Sequence, residues 1–123
     1  MGRALNELPG GMDVSGLNEI GRRVATTVHG RLTTAGIWHG DERRATLALA
    51  TAVQLYVAQR RFTERLLGAG KSLPPGIAEF EGALRHTARR LMVKMMLLDK
   101  KRVVTAPLDC TGMDEDIARL AGI

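Results

Sequence analysis

The chain has 123 residues, of which 45% are hydrophobic and 25% charged. That is about one domain's worth of residues with enough apolar material for a core, which excludes a two-domain enzyme, wholesale disorder and a collagen-like chain. Eighteen basic residues against thirteen acidic ones give a formal charge of +5, which favours anionic partners.

The longest apolar stretch lies within Ala45 to Ala58 and is interrupted by Thr46, Thr51 and Gln54. A membrane helix needs about 20 mostly apolar residues, so no span and no membrane partner are expected. The N-terminus lacks the apolar run and small-residue cleavage site of a secretory signal, and a cytoplasmic location is expected. Cys110 is the only cysteine, so neither an intrachain disulfide nor a Cys-rich zinc site can form.

Residues 1–14 contain Pro9, Gly10 and Gly11 without periodicity and read as a flexible arm. Residues 15–104 read as a helical domain, and residues 105–123 as an acidic tail. The first helix is expected after Ser15, with Leu17, Ile20, Val24, Val28 and Leu32 on one face and a stop at Gly36. Gly21 and Gly30 each cost this helix about 1 kcal/mol against alanine, so packing must stabilise it.

A tight connection over Ile37 to Gly40 leads to Asp41, expected to cap a second helix from about Glu42 to Leu67. The first half of that helix is apolar nearly all round, from Ala45 through Leu47, Leu49, Val53 and Val57. Such a helix must be buried on several sides, and contact with another subunit is the expected solution. A third helix is expected from about Ile77 to Lys100, with Ile77, Phe80, Leu84, Leu91, Met95 and Leu98 packing antiparallel on the second. Met92, Val93 and Met96 lie off this stripe and suit a second contact surface. Val103 to Thr105 has strand character, and a short helix is expected from Thr111 or Asp114 with Ile117, Leu120 and Ala121 on its apolar side.

No catalytic constellation emerges. The acidic clusters Asp41-Glu42 and Asp114-Glu115-Asp116 stand at expected helix starts, where capping and the helix dipole explain them. His29, His39 and His86 lie on separate segments without Cys or carboxylate at ligand spacing, and Ser15 and Ser72 sit in no nucleophile motif. No metal and no cofactor is expected. Gly68-Ala69-Gly70-Lys71-Ser72 resembles the end of a phosphate-binding loop, but position 65 is Arg65 rather than glycine and the preceding residues read as helix.

The basic series is the strongest functional signal. Ala83 to Val104 carries Arg85, Arg89, Arg90, Lys94, Lys100, Lys101 and Arg102 against Asp99 alone, and Arg22, Arg23, Arg43 and Arg44 extend it. These eleven residues are the candidate DNA contacts, made to phosphates rather than base edges. Leu47, Leu49, Val53, Val57, Met92 and Met96 are the candidate oligomer interface. The tail from Thr105 to Ile123 is acidic, and Asp114, Glu115, Asp116, Ile117 and Leu120 are the candidate contacts to a protein partner.

The first helix ending in Leu32-Thr33-Thr34-Ala35-Gly36-Ile37 is followed by an acidic start at Asp41 and a long helix with Ala45, Leu49, Ala52, Tyr56 and Phe62. The break at Gly68 to Gly76 and the amphipathic segment Ala83 to Leu98, with basic residues at Lys100 to Arg102, complete a pattern that resembles the small terminase subunit of tailed bacteriophages and related elements. The resemblance covers roughly Leu17 to Val104. It implies an all-α fold: a long antiparallel helical hairpin with a shorter N-terminal helix and a short tail helix, assembled into a ring larger than a dimer. It further implies a non-enzymatic packaging factor that holds viral DNA and engages the large terminase subunit through the tail from Asp109 to Ile123. The alternative reading is a small helical oligomeric adaptor that binds no nucleic acid, with a small helical enzyme third.

Overall fold

The computed structural model describes residues 7–8, 12–95 and 113–121. The described chain is mostly helical: α1 (Glu19–Thr34), α2 (Arg43–Gly68), α3 (Ile77–Lys94) and α4 (Met113–Ala121). A two-residue antiparallel ladder precedes them, β1 (Glu7–Leu8) on β2 (Met12–Asp13), with Glu7 opposite Asp13 and Leu8 opposite Met12.

Asn18 begins α1, its side chain accepting the Gly21 N–H at 3.1 Å. The helix stops where expected. Gly36 takes the left-handed conformation with φ +75°, its N–H bonds Thr33 O, and the Ile37 N–H bonds Leu32 O, both at 3.0 Å. The same closure ends α2, where Gly70 has φ +72° and the N–H groups of Gly70 and Lys71 bond Leu67 O and Leu66 O. Each satisfies helix-end carbonyls and uses a conformation that an L side chain rarely takes. The stretch from Gly68 to Ser72 is therefore a helix end, whereas a phosphate loop opens a helix.

Thr63 and Arg60, near the end of α2, bond Glu81 near the start of α3. Ala45 at the start of α2 shares a depression with Met95 beyond the end of α3, so the two helices run in opposite directions. On the other side of α2 lies α1, and α4 rests on both, contributing Ile117 and Leu120 to the core. The side of α2 that carries Leu49, Val53 and Val57 is thus covered within one chain. Leu49 and Val53 are fully buried and Val57 nearly so, in one cluster with Val24 and Val28 of α1 and Met92 of α3.

Several expectations are corrected. Met12 and Val14 are core residues, so the N-terminal arm is anchored at its end: these two apolar side chains, two positions apart on an extended segment, join the apolar cluster. Asp41 does not cap α2. The residue before the helix is Glu42, whose carboxylate turns back to accept the His39 N–H at 2.9 Å. Phe80 is 51% exposed, and Met92, expected off the packing stripe of α3, is 1% exposed. The small Ala88, fully buried, lets α3 approach closely on that side, which rotates Met92 inward and Phe80 outward. Helix α3 ends at Lys94, with Met95 closing it. The strand expected at Val103 to Thr105, together with Leu98 and Cys110, falls outside the described residues.

Candidate nucleic-acid interface

The end of α1, the start of α2 and the end of α3 meet at one end of the bundle, where Leu32, Ile37, Glu42, Ala45, Lys94 and Met95 line a shared depression. Exposed cations stand there: Arg43 and Arg44 on the first turn of α2, Arg90 and Lys94 on the last turns of α3, and Arg31 on the last turn of α1, which has an interaction of its own. Spacing places them. Arg43 and Arg44 precede the apolar run of α2, and Arg90 and Lys94, four apart, share a row on the solvent side of α3. The Arg43 Nε donates to Gly40 O at 3.1 Å, which ties one edge of its guanidinium to the turn before α2.

Electrostatics favour an anion at this end. The first turn of α2 adds its unpaired N–H groups and positive helix end to the two guanidiniums, and no acidic residue stands in that turn. Two carboxylates are nearby, Asp41 and Glu42. The backbone N–H of His39 holds the Glu42 carboxyl below its ordinary 4.5, so it stays ionised and committed to the turn.

Elsewhere some cations are paired, while Arg61, Arg65 and Lys71, toward and just past the other end of α2, are exposed. Glu19 takes Arg22 at 3.3 Å and Arg23 at 3.2 Å, near the far end of α1. Arg60 is held by Glu81 at 3.0 Å and by Glu64 at 3.5 Å, and the bond to Glu81 raises the guanidinium's pKa further. This leaves Arg43, Arg44, Arg90 and Lys94 as the members of the expected DNA-contacting set that are described, exposed and without a carboxylate partner among the described residues.

The remaining members do not join them. Arg89 is 4% exposed and faces inward beside Met92, because the rotation of α3 that buries Met92 carries its neighbour in as well. Arg85 is half-buried and has an interaction of its own. Arg22 and Arg23 are paired some 15 Å along α1 from the cationic end, and Lys100, Lys101 and Arg102 lie outside the described residues.

The expected oligomer interface also divides. Leu49, Val53, Val57 and Met92 belong to the chain's own core, since α1, α3 and α4 supply the cover that another subunit was expected to give. Leu47 is half-buried on an open groove, and Met96 lies outside the described residues. On the tail, Ile117 (2%) and Leu120 (5%) pack into the core and Asp116 (2%) is buried and paired with Arg119. The amphipathic spacing that suggested a partner surface is used within the chain. Glu115 remains exposed, and the Asp114 side chain lies outside the described residues.

Sequence reasoning missed the exposed apolar residues Leu55, Phe62 and Phe80. The signal was present: Ala48, Thr51, Leu55, Ala58 and Phe62 recur at spacings of three and four on the side of α2 opposite its core face.

The three histidines do not converge. His29 is mostly buried under Trp38, ring centroids 4.5 Å apart and edge-on, while His39 and His86 are exposed on other segments. No group of His, Cys, Asp and Glu among the described residues is arranged to hold a metal ion, and no described helix is long and apolar enough to cross a membrane. The chain matches no family model, no curated protein and no solved structure.

Proposed function

We propose that the chain is a non-enzymatic DNA-packaging factor of the small-terminase type, which holds DNA by phosphate contacts. The carrying observation is the cluster Arg43, Arg44, Arg90 and Lys94, exposed together from two helices at the end of the bundle where α2 begins, beside the positive end of that helix. In this reading α2 and α3 form the helical hairpin of a homo-oligomeric ring larger than a dimer, acting in the host cytoplasm. A large terminase subunit would meet the outward acidic side of α4 at Glu115 rather than its docked apolar side.

A titration of duplex DNA with rising salt tests the reading. Four phosphate contacts predict that log affinity falls against log salt with a slope of about −3.6, from a Kd of roughly 10⁻⁴ to 10⁻⁶ M at physiological salt. Arg44→Glu with Lys94→Glu should abolish binding while the helical signal is kept. Binding indifferent to salt, or unchanged in that variant, overturns the proposal and leaves the reading as an oligomeric adaptor, which the exposed Leu55, Phe62 and Phe80 favour.

A further inference from the structure

The side of α2 that faces away from the core carries Ala48, Thr51, Leu55, Ala58 and Phe62, all exposed, at alternating spacings of three and four. That is the seam periodicity of paired helices. No charged residue occurs on α2 from Ala45 to Gln59, so over about four turns this outward face carries no charge and Thr51 is its one polar side chain. Leu55 is 48% exposed and Phe62 40%. Leu55 also lines an open groove with Leu47, Thr51, Leu84 and Thr87, which joins the outward face of α2 to the edge of α3 and has Arg44 at its end. Phe80, 51% exposed, continues that edge one turn before Leu84.

We propose that this face pairs with the same face of a second copy of the chain across a two-fold axis, the two α2 helices running antiparallel. Side-chain size and charge both select this partner. With Leu55 set over Ala58 of the second copy, Phe62 falls over the second copy's Thr51 and the stem of Arg65 over its Ala48. Large then meets small at every layer, and the two-fold repeats each contact. In this register Arg44 lies beyond the end of the seam and meets no guanidinium. A parallel pairing would instead stack Leu55 on Leu55 and Phe62 on Phe62, and would place Arg44 and Arg65 each against its own copy. An isologous face of two adjacent helices, about 30 Å long and about 20 Å wide, also approaches the roughly 800 Å² per partner of a stable interface.

The inference rests on the oligomeric part of the proposed function and not on DNA binding. It makes the two-fold pair the unit of assembly, with any larger ring built from pairs. Light scattering of the full chain without DNA should give an even multiple of the chain mass. Leu55→Glu with Phe62→Glu should lower that mass at least two-fold with the helical signal kept, because both positions are exposed in the single chain. Lys71→Glu, outside the face, should leave it unchanged.

Direction is read by cross-linking in a Cys110→Ser background with a short bismaleimide. A mixture of Phe62→Cys and Thr51→Cys chains should give a cross-linked pair, and Phe62→Cys alone should give none. A monomer at 100-fold increasing concentration, an odd-numbered mass, an oligomer that survives the double glutamate variant, or self-linking of Phe62→Cys overturns the proposal. Because these masses are read without DNA, failure here is distinct from loss of the salt-dependent binding.

Discussion

Gly21 of α1 faces Gln54 of α2 so closely that a β-carbon at position 21 would stand 2.5 Å from Gln54 Oε1. That oxygen accepts the backbone N–H of Asn18 at 3.3 Å, and the Asn18 side chain in turn accepts the N–H of Gly21. One side chain of α2 thereby ties down the start of α1. Gly21→Ala should destabilise the protein by about 1–3 kcal/mol despite alanine's better helix propensity, because Gln54 or Leu17 must move. Urea denaturation of G21A, Q54A and the double variant checks this: the double variant should lose less than the sum of the singles.

Glu81 is the bond between the end of α2 and the start of α3. Its carboxylate, 13% exposed, accepts from Arg60 and from the Thr63 hydroxyl. Arg60 is 41% exposed, so solvent screening reduces the ionic part, and Glu81→Ala should cost about 1–2 kcal/mol. Hydrogen exchange should show the loss first at the N-terminal turns of α3, while the cationic end of the bundle keeps its protection.

The turn before α2 should respond to acid. Glu42 is held below 4.5 by the His39 N–H, so the folded turn binds its proton less readily than the unfolded chain. The stabilisation is complete above pH 4.5 and is lost as pH falls through the lower folded value. The His39 amide resonance should titrate with a midpoint below 4.5, and the Glu42→Gln variant should show no such step.

Neighbouring arginines on α3 should behave oppositely. Arg89 is buried and engaged, so Arg89→Ala should cost on the order of 3 kcal/mol and lower the melting temperature with little direct effect on DNA. Arg90 is exposed, so Arg90→Ala should change stability by under about 0.5 kcal/mol and reduce the salt slope of DNA binding by about 0.9. Calorimetry and the salt titration together separate the two.

Local chemistry was legible in the chain. The glycines at 36 and 70 stop helices because only a residue tolerant of positive φ closes the end this way, the break at Pro74-Pro75 restarts the chain at Ile77, and the apolar row Ile20, Val24, Val28 and Leu32 names the buried side of α1. What periodicity cannot say is which neighbour covers which face. An α2 apolar nearly all round reads the same whether α4 and α1 or a second subunit covers it, and residues distant in sequence decided that Leu49, Val53 and Val57 are core while Leu55 and Phe62 face outward. The basic residues divided for a related reason. Composition determined that α3 is cationic, but a rotation set by the close seat of Ala88 put Arg89 inside and left Arg90 and Lys94 in water, because helix orientation minimises exposed apolar area over the whole core rather than along one helix.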